Sequence, residues 1–223
     1  MDWQIKYWRT VNNLFNAASR HILIRDMSDM LDWDLIKKKF NQLTWKDNIN
    51  NHVSVEMDFF DGNEFAKCRS NILNDCKDYL NHTLNLSHFY TDLKMTNSWG
   101  NITNPGEKHH DHVHPFSVVS GVIYLDKNID NLNLYIESYV PDVPYFITKN
   151  KSYVSLASLL SDTGFDFINE KYLQHHMILF LSNSSHFVSD TNPEGSIRRS
   201  IAFNTFWSGH TGVKDESLGS IIF

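Results

Sequence analysis

Residues 177–188 read Met177-Ile178-Leu179-Phe180-Leu181-Ser182-Asn183-Ser184-Ser185-His186-Phe187-Val188. Five consecutive apolar residues, closed off by a serine-rich turn, have the length and pattern of a strand buried on both faces. Turn chemistry follows at Asp190-Thr191-Asn192-Pro193-Glu194-Gly195, and a second strand is expected over 196–204. Upstream, 118–125 and 132–136 repeat the theme of short β-branched and aromatic runs between turn residues. Long helical periods are absent from this half, which reads as a sheet sandwich or jelly roll.

The first half has a different period. Trp3, Tyr7, Val11, Leu14 and Phe15 recur at helical spacing. A second amphipathic pattern starts at Ser28, a plausible N-cap, and runs through Leu31, Leu35 and Phe40. A third follows Asp61-Gly62-Asn63, with Phe65, Cys68, Ile72, Cys76 and Leu80 on one stripe. The expectation is one α+β domain over 1–223, with mainly helical support over 1–84, a sheet core over 85–207 and a tail over 208–223. The tail would cover a sheet edge or mediate self-association into a homodimer. Residues 126–175 are expected to form an insert over the site, with Tyr135, Tyr139, Tyr145 and Val140-Pro141-Asp142-Val143-Pro144 as loop and lid material.

A chain of 223 residues holds one sizeable core, and 41% hydrophobic with 21% charged residues is ordinary for a soluble globular domain. The net charge of -6 and pI near 6.0 argue against a nucleic-acid partner. Met1-Asp2-Trp3-Gln4 lacks a signal-peptide pattern, and no run approaches the ~18 apolar residues of a membrane span. Cys68 and Cys76 fall two turns apart on one expected helix, roughly 12 Å along its axis, too far for a disulfide. A cytoplasmic protein with two reduced core thiols is the plain reading.

Four of the twelve histidines lie within Lys108-His109-His110-Asp111-His112-Val113-His114-Pro115. Residues i and i+2 on a strand share a face, so His112 and His114 can converge on one ion, and Pro115 ends regular pairing beside them. Imidazole suits Fe, Zn, Cu or Ni, so the pair does not choose the metal. His110 with His112, and His109 with Asp111, are competing pairs.

His186 offers a third imidazole. If the segments around Asn192 form a hairpin, His186 and Arg198 become direct cross-strand neighbours, about 5 Å apart at Cβ. The Arg198 guanidinium could then fork onto a carboxylate whose other end chelates the metal. A five-carbon dicarboxylate with a 2-oxo acid at one end has those features. Ser200 would point to the same side and add a hydroxyl, whereas Arg199 should face away as a surface charge.

These residues resemble the Fe(II)/2-oxoglutarate-dependent oxygenase superfamily, and within it a group carrying a His-X-His-Pro…Ser-Gly-X-X-Tyr-Leu segment. The likeness runs from Asn97-Ser98-Trp99-Gly100-Asn101 through His112-Val113-His114-Pro115 and Ser120-Gly121-Val122-Ile123-Tyr124-Leu125. It continues at Phe180-Leu181-Ser182…His186 and ends at Arg198-Arg199-Ser200-Ile201-Ala202-Phe203-Asn204, covering about half the chain.

The resemblance implies a double-stranded β-helix, a form of jelly roll, buttressed by the N-terminal helices, with the metal at its open end. It implies Fe(II) and 2-oxoglutarate as cofactors, His112 and His186 as ligands, and Arg198 on the far carboxylate of the cosubstrate. Tyr124 would help hold that cosubstrate or serve as a core tyrosine. The implied reaction is hydroxylation of a small molecule or protein side chain, with release of succinate and CO2. An apolar lining from Phe116, Phe187 or Phe203 would keep water away. The sequence departs from the superfamily at His114, where most members place Asp or Glu. Either His114 is the third ligand, or Asp111 supplies a carboxylate together with His109. Two other readings share the sandwich: a three-histidine cupin-type dioxygenase that needs no 2-oxoglutarate, and a non-enzymatic module whose histidines hold Zn²⁺ or nothing.

Overall fold

The computed structural model describes residues 22–84, 92–126, 134–137, 153–155, 174–189, 195–211 and 221–222. The helical pattern at Trp3 to Phe15, most of the expected lid, and the turn from Asp190 to Glu194 lie outside them. Strand β1 (Ile22–Asp26) precedes helix α1 (Trp33–Phe40), and β2 (Trp45–Asn48) and β3 (Asn51–Ser54) form a hairpin. A single 3-10 turn (Asn63–Phe65) leads into helix α2 (Ala66–Leu84). Strands β4 (Asp92–Thr103), β5 (His109–His112), β6 (Val119–Tyr124), β7 (Leu134–Glu137) and β8 (Tyr153–Ser155) follow. They are succeeded by β9 (His176–Leu181), β10 (His186–Val188), β11 (Arg198–Ser208), β12 (His210–Thr211) and β13 (Ile221–Ile222).

Among the described residues these strands build a seven-stranded sheet, ordered β1-β9-β6-β11-β4-β3-β2, and a four-stranded sheet, ordered β5-β10-β7-β8. Every strand pairing within the two sheets is antiparallel. This is a double-stranded β-helix, and its two-sided burial explains the unbroken apolar run that first marked β9. Met177 and Leu179 join a core shared with Ile36 and Phe40 of α1 and with Ile72 and Cys76 of α2. Ile178 and Phe180 join a second core, with Leu134, Ile136 and Val188 of the smaller sheet. The helices thus cover the outer face of the large sheet, and its inner face is left for the site. Gly121 of β6 is required by this packing. A Cβ there would fall on the ring of its cross-strand partner Phe203 and within 2.7 Å of Leu179.

The helix boundaries need one correction and the N-terminal segment another. The α1 N-cap is Asp32, whose side chain accepts the Leu35 N–H at 3.0 Å. Ser28 instead gives its backbone N–H to Asp26 in the preceding turn, which ends β1 before a helix can start. The 22–54 stretch also supplies three strands that a mainly helical reading did not anticipate. Only β1 of the three carries a continuous apolar start. Cys68 and Cys76 are buried free thiols of α2, and burial pushes the Cys76 thiol up. No helix among the described residues is long and apolar enough to cross a membrane.

Candidate metal centre

The site grows from the pairing of β5 with β10, where His112 and His186 are direct partners. The register shifts between this pair and the next, Val188 with His109, so two residues of β5 bulge where β10 has one. That bulge lets His109 and His112 stack, with ring centroids 4.6 Å apart. His114 does not share the strand with His112, as a simple i, i+2 reading expected. β5 ends at His112, and the chain turns through Pro115 and Phe116, whose φ of 57° is left-handed. What holds His114 in place is its own N–H, donated to the Ser182 carbonyl at 2.9 Å.

The three imidazoles meet. Their ligand atoms lie within 4.8 Å of one another, and Nε2 of His114 stands 3.2 Å from Nε2 of His186. His112 donates Nδ1–H to the His110 carbonyl at 2.8 Å, and His186 donates Nδ1–H to the Ser184 carbonyl at 3.0 Å. A carbonyl only accepts, so the proton sits on Nδ1 in both rings and the Nε2 lone pair is left for an ion. Two nitrogens each ~2.1 Å from one cation are readily 3.2 Å apart, so the donor set fits a first-row metal. Burial holds the rings neutral, as ligands must be. It pushes His114 down to about 4 and His109 to about 3, with neighbouring imidazoles adding to the effect, and it lowers His112 and, much further, His186. Asp111 is turned away: it is exposed and accepts the Ser185 hydroxyl. The His109–Asp111 alternative therefore has no geometry behind it.

Facing the histidines across the sandwich is the inner surface of the large sheet. Trp99, Asn101 and Thr103 of β4, Tyr124 of β6, and Arg198 and Ser200 of β11 line the same cavity as the three histidines. His186 and Arg198 are not hairpin partners. β10 pairs with β5 and β7, and β11 pairs with β4 and β6, so the chain passes from one sheet to the other between them. The shared cavity survives because opposed faces of a sandwich look at each other. Arg198 is buried and donates to Thr103 Oγ1 at 3.1 Å; burial lowers the pKa of its guanidinium and raises that of the Tyr124 phenol. No Asp or Glu of the described residues lines this cavity. Arg199 points outward into an ion pair with Asp126 at 2.6 Å, the surface role expected of it.

Comparison with protein families matches residues 97–204 to the family described as "Putative 2OG-Fe(II) oxygenase". That match spans just under half of the chain and points to the 2-oxoglutarate–Fe(II) oxygenase superfamily. The matched family's description names Fe(II) and 2-oxoglutarate, and the three convergent imidazoles fit such a metal. The fold has solved counterparts. A 2OG-Fe(II) oxygenase-family oxidoreductase from Burkholderia pseudomallei is 11% identical, with 89% of each chain covered and a TM-score of 0.54. A Trichoplax adhaerens prolyl hydroxylase, solved with a hypoxia-inducible-factor peptide fragment, is 12% identical, with 92% of this chain and 93% of that one covered and a TM-score of 0.51. HygX from Streptomyces hygroscopicus, solved with nickel and 2-oxoglutarate, is 10% identical, with 89% and 86% covered and a TM-score of 0.52. Comparison with curated protein sequences returned no match.

Thr103 and Asn204 were not foreseen from the sequence as residues of this site, and His109 was foreseen only as a partner of Asp111. Thr103 closes β4 beside Arg198, His109 reaches the cavity only through the bulge, and Asn204 contacts Nδ1 of His114. His109 and Asn204 stood within quoted stretches, the histidine cluster and the end of the arginine strand, whereas Thr103 stood in neither. The aromatic lining also differs. Phe180 faces the cavity, whereas Phe203 packs outward, Phe187 stacks on Tyr135 and Phe116 is 90% exposed.

Proposed function

We propose that His112, His114 and His186 hold Fe(II), that Arg198, Ser200 and Tyr124 hold 2-oxoglutarate, and that the enzyme hydroxylates a small molecule or protein side chain. The observation that carries this reading is the buried Arg198 guanidinium, facing three convergent imidazoles across a cavity without a carboxylate among its described lining. A buried cation stabilises an anionic guest by charge-assisted hydrogen bonds, and the two ends of a dicarboxylate would satisfy the arginine and the metal together. When bound, Fe(II) and 2-oxoglutarate activate dioxygen, and oxidative decarboxylation of the cosubstrate yields succinate and CO2.

The chain's own contribution is placement. The β5–β10 pair sets two Nε2 lone pairs on one point, and the Ser182 carbonyl fixes the third histidine. Thr103 orients the guanidinium. Phe180 and Trp99 contribute apolar walls that keep water from the reacting centre. Three neutral imidazoles, in place of two and a carboxylate, leave the centre one unit more positive, which strengthens its hold on an anionic chelate. Solved relatives carrying a peptide fragment or hygromycin B support both substrate classes.

The three-histidine reading without 2-oxoglutarate and the non-enzymatic reading are not favoured, because the family match speaks for the cosubstrate and neither gives a buried Arg198 a role. Anaerobically loaded Fe(II) protein should develop a visible band with 2-oxoglutarate and release succinate once oxygen is admitted. A protein that binds iron but shows neither response would sink the proposal.

A further inference from the structure

His114 differs from the other two histidines in what its Nδ1 touches. His112 and His186 face backbone carbonyls, which can only accept, whereas His114 faces the side-chain amide of Asn204 at 3.3 Å. An amide end can be either oxygen or nitrogen, and the choice decides which ring nitrogen carries the proton.

Behind that amide runs a buried chain of polar groups. The other end of the Asn204 amide contacts Ser120 Oγ at 2.7 Å, and Ser120 Oγ lies 2.8 Å from Ser182 Oγ. Asn204, Ser120 and Ser182 are 6%, 1% and 0% exposed, so each is more than nine-tenths buried. The three sit on β11, β6 and the residue after β9, and Asn204 and Ser120 are direct cross-strand partners. Ser182 closes the circuit, because its carbonyl receives the His114 N–H. Nothing in packing alone calls for three polar side chains in the middle of the large sheet.

We propose that Asn204 is a positioning residue that sets the tautomer of His114 for metal binding, with Ser120 and Ser182 setting Asn204. The inference rests on His114 being a ligand, as proposed above. With the amide nitrogen toward the ring, Asn204 donates to Nδ1, the ring proton moves to Nε2, and that nitrogen cannot ligate. Turning the amide by 180° exchanges its two ends within the same two contacts. His114 Nδ1–H then donates to Asn204 Oδ1, Asn204 Nδ2–H donates to Ser120 Oγ, and the Ser120 hydroxyl donates to Ser182 Oγ. Each of these three donors has an acceptor, and Nε2 of His114 presents a lone pair beside that of His186. The serines make this reversal cheap, since a hydroxyl both donates and accepts. β11 would thus serve both cofactors, with Arg198 at its start for the cosubstrate and Asn204 near its middle for the metal.

The test uses Zn(II) as a diamagnetic probe, titrated against a chromophoric chelator. Asn204→Leu removes the acceptor and should weaken Zn(II) binding by about 10–100-fold, as loss of a supporting contact to a ligand does. Asn204→Asp can only accept, so it should restore wild-type affinity despite its buried charge. A purely structural asparagine predicts the reverse order, because a buried carboxylate harms packing more than leucine does. Imidazole ¹⁵N spectra of the Zn(II)-loaded wild type read the tautomer without any variant, and should show His114 protonated at Nδ1 and bound through Nε2. Equal affinity in N204L, an affinity in N204D as low as in N204L, or His114 bound through Nδ1 would each overturn the inference. His114→Ala separates the two levels: unchanged Zn(II) affinity there removes the ligand assignment itself, while lost affinity beside an unaffected N204L removes only the role of Asn204.

Discussion

Arg198 and His186 stand on opposite sheets of the sandwich, and both side chains line one cavity. A guest that spans the cavity is therefore gripped from two independent walls. Removing either wall's contribution should leave the other folded and measurable.

Arg198→Ala takes away the buried cation while leaving the histidines untouched. Affinity of the metal-loaded protein for 2-oxoglutarate should fall by about 1.5–3 kcal/mol, the worth of hydrogen bonds to a charged group. Anaerobic calorimetry reads this directly. Arg199→Ala is the internal control, since its ion pair with Asp126 is exposed and lies outside the cavity lining. Its effect on cosubstrate affinity should be nil. Equal losses in the two variants would show that the arginine strand acts through stability and not through contact.

His112→Ala, His114→Ala and His186→Ala each remove one of three convergent nitrogens. Each should lower metal affinity beyond the 10–100-fold typical of losing only a supporting contact. Asp111→Asn should leave metal affinity where it is, because that carboxylate bonds Ser185 and stands outside the cluster. A chelator competition series on the four variants checks both halves. Loss of metal in the Asp111 variant would revive a carboxylate ligand.

The sequence carried the site further than it carried the topology. Three histidines, Arg198, Ser200 and Tyr124 all line one cavity, as the motif order implied. The route was different. An equal spacing about Asn192 suggested a hairpin, yet the chain crosses between sheets there, and hydrophobic periodicity cannot tell a hairpin turn from a sheet-to-sheet crossing. The β5 bulge was equally invisible, since no glycine or proline marks His110 or Asp111. Ser28 lost the N-cap to Asp32 because both residues suit the position and only tertiary packing chooses the helix start. Asn204 was legible as a motif residue but not as a partner of His114, which lies ninety positions away.

Gly121→Ala tests the claim that the β6–β11 contact admits no side chain. The added methyl would overlap the Phe203 ring and press on Leu179, two residues of the outer core. Overpacking of this kind costs about 1–3 kcal/mol. A urea denaturation series should show a lower midpoint with an unchanged slope. Phe203→Leu in the same chain should recover part of the loss, because it vacates the space the methyl needs. An undiminished midpoint in Gly121→Ala would mean that the ring relaxes freely and that the glycine is not demanded by packing.

Asp75 offers a pH test that lies outside the metal centre. It is buried on α2 and paired with Arg25 at 3.3 Å, yet burial outweighs that partner and pushes its carboxyl up to about 6. Its second oxygen, Oδ2, has no hydrogen-bond partner among the described residues. An acid whose folded pKa is raised binds its proton more tightly in the native chain than in the unfolded one. Its neutral form stabilises the fold below about pH 4, and that contribution is lost as pH rises from the unfolded value of 3.8 through about 6. Asp75→Asn keeps the shape without the charge. The variant should match wild type near pH 4 and exceed it above pH 6, by on the order of 2 kcal/mol. Denaturation midpoints taken across that range decide it. If the variant instead loses ground as pH rises, the Arg25 ion pair outweighs burial and the carboxylate is a stabilising charge.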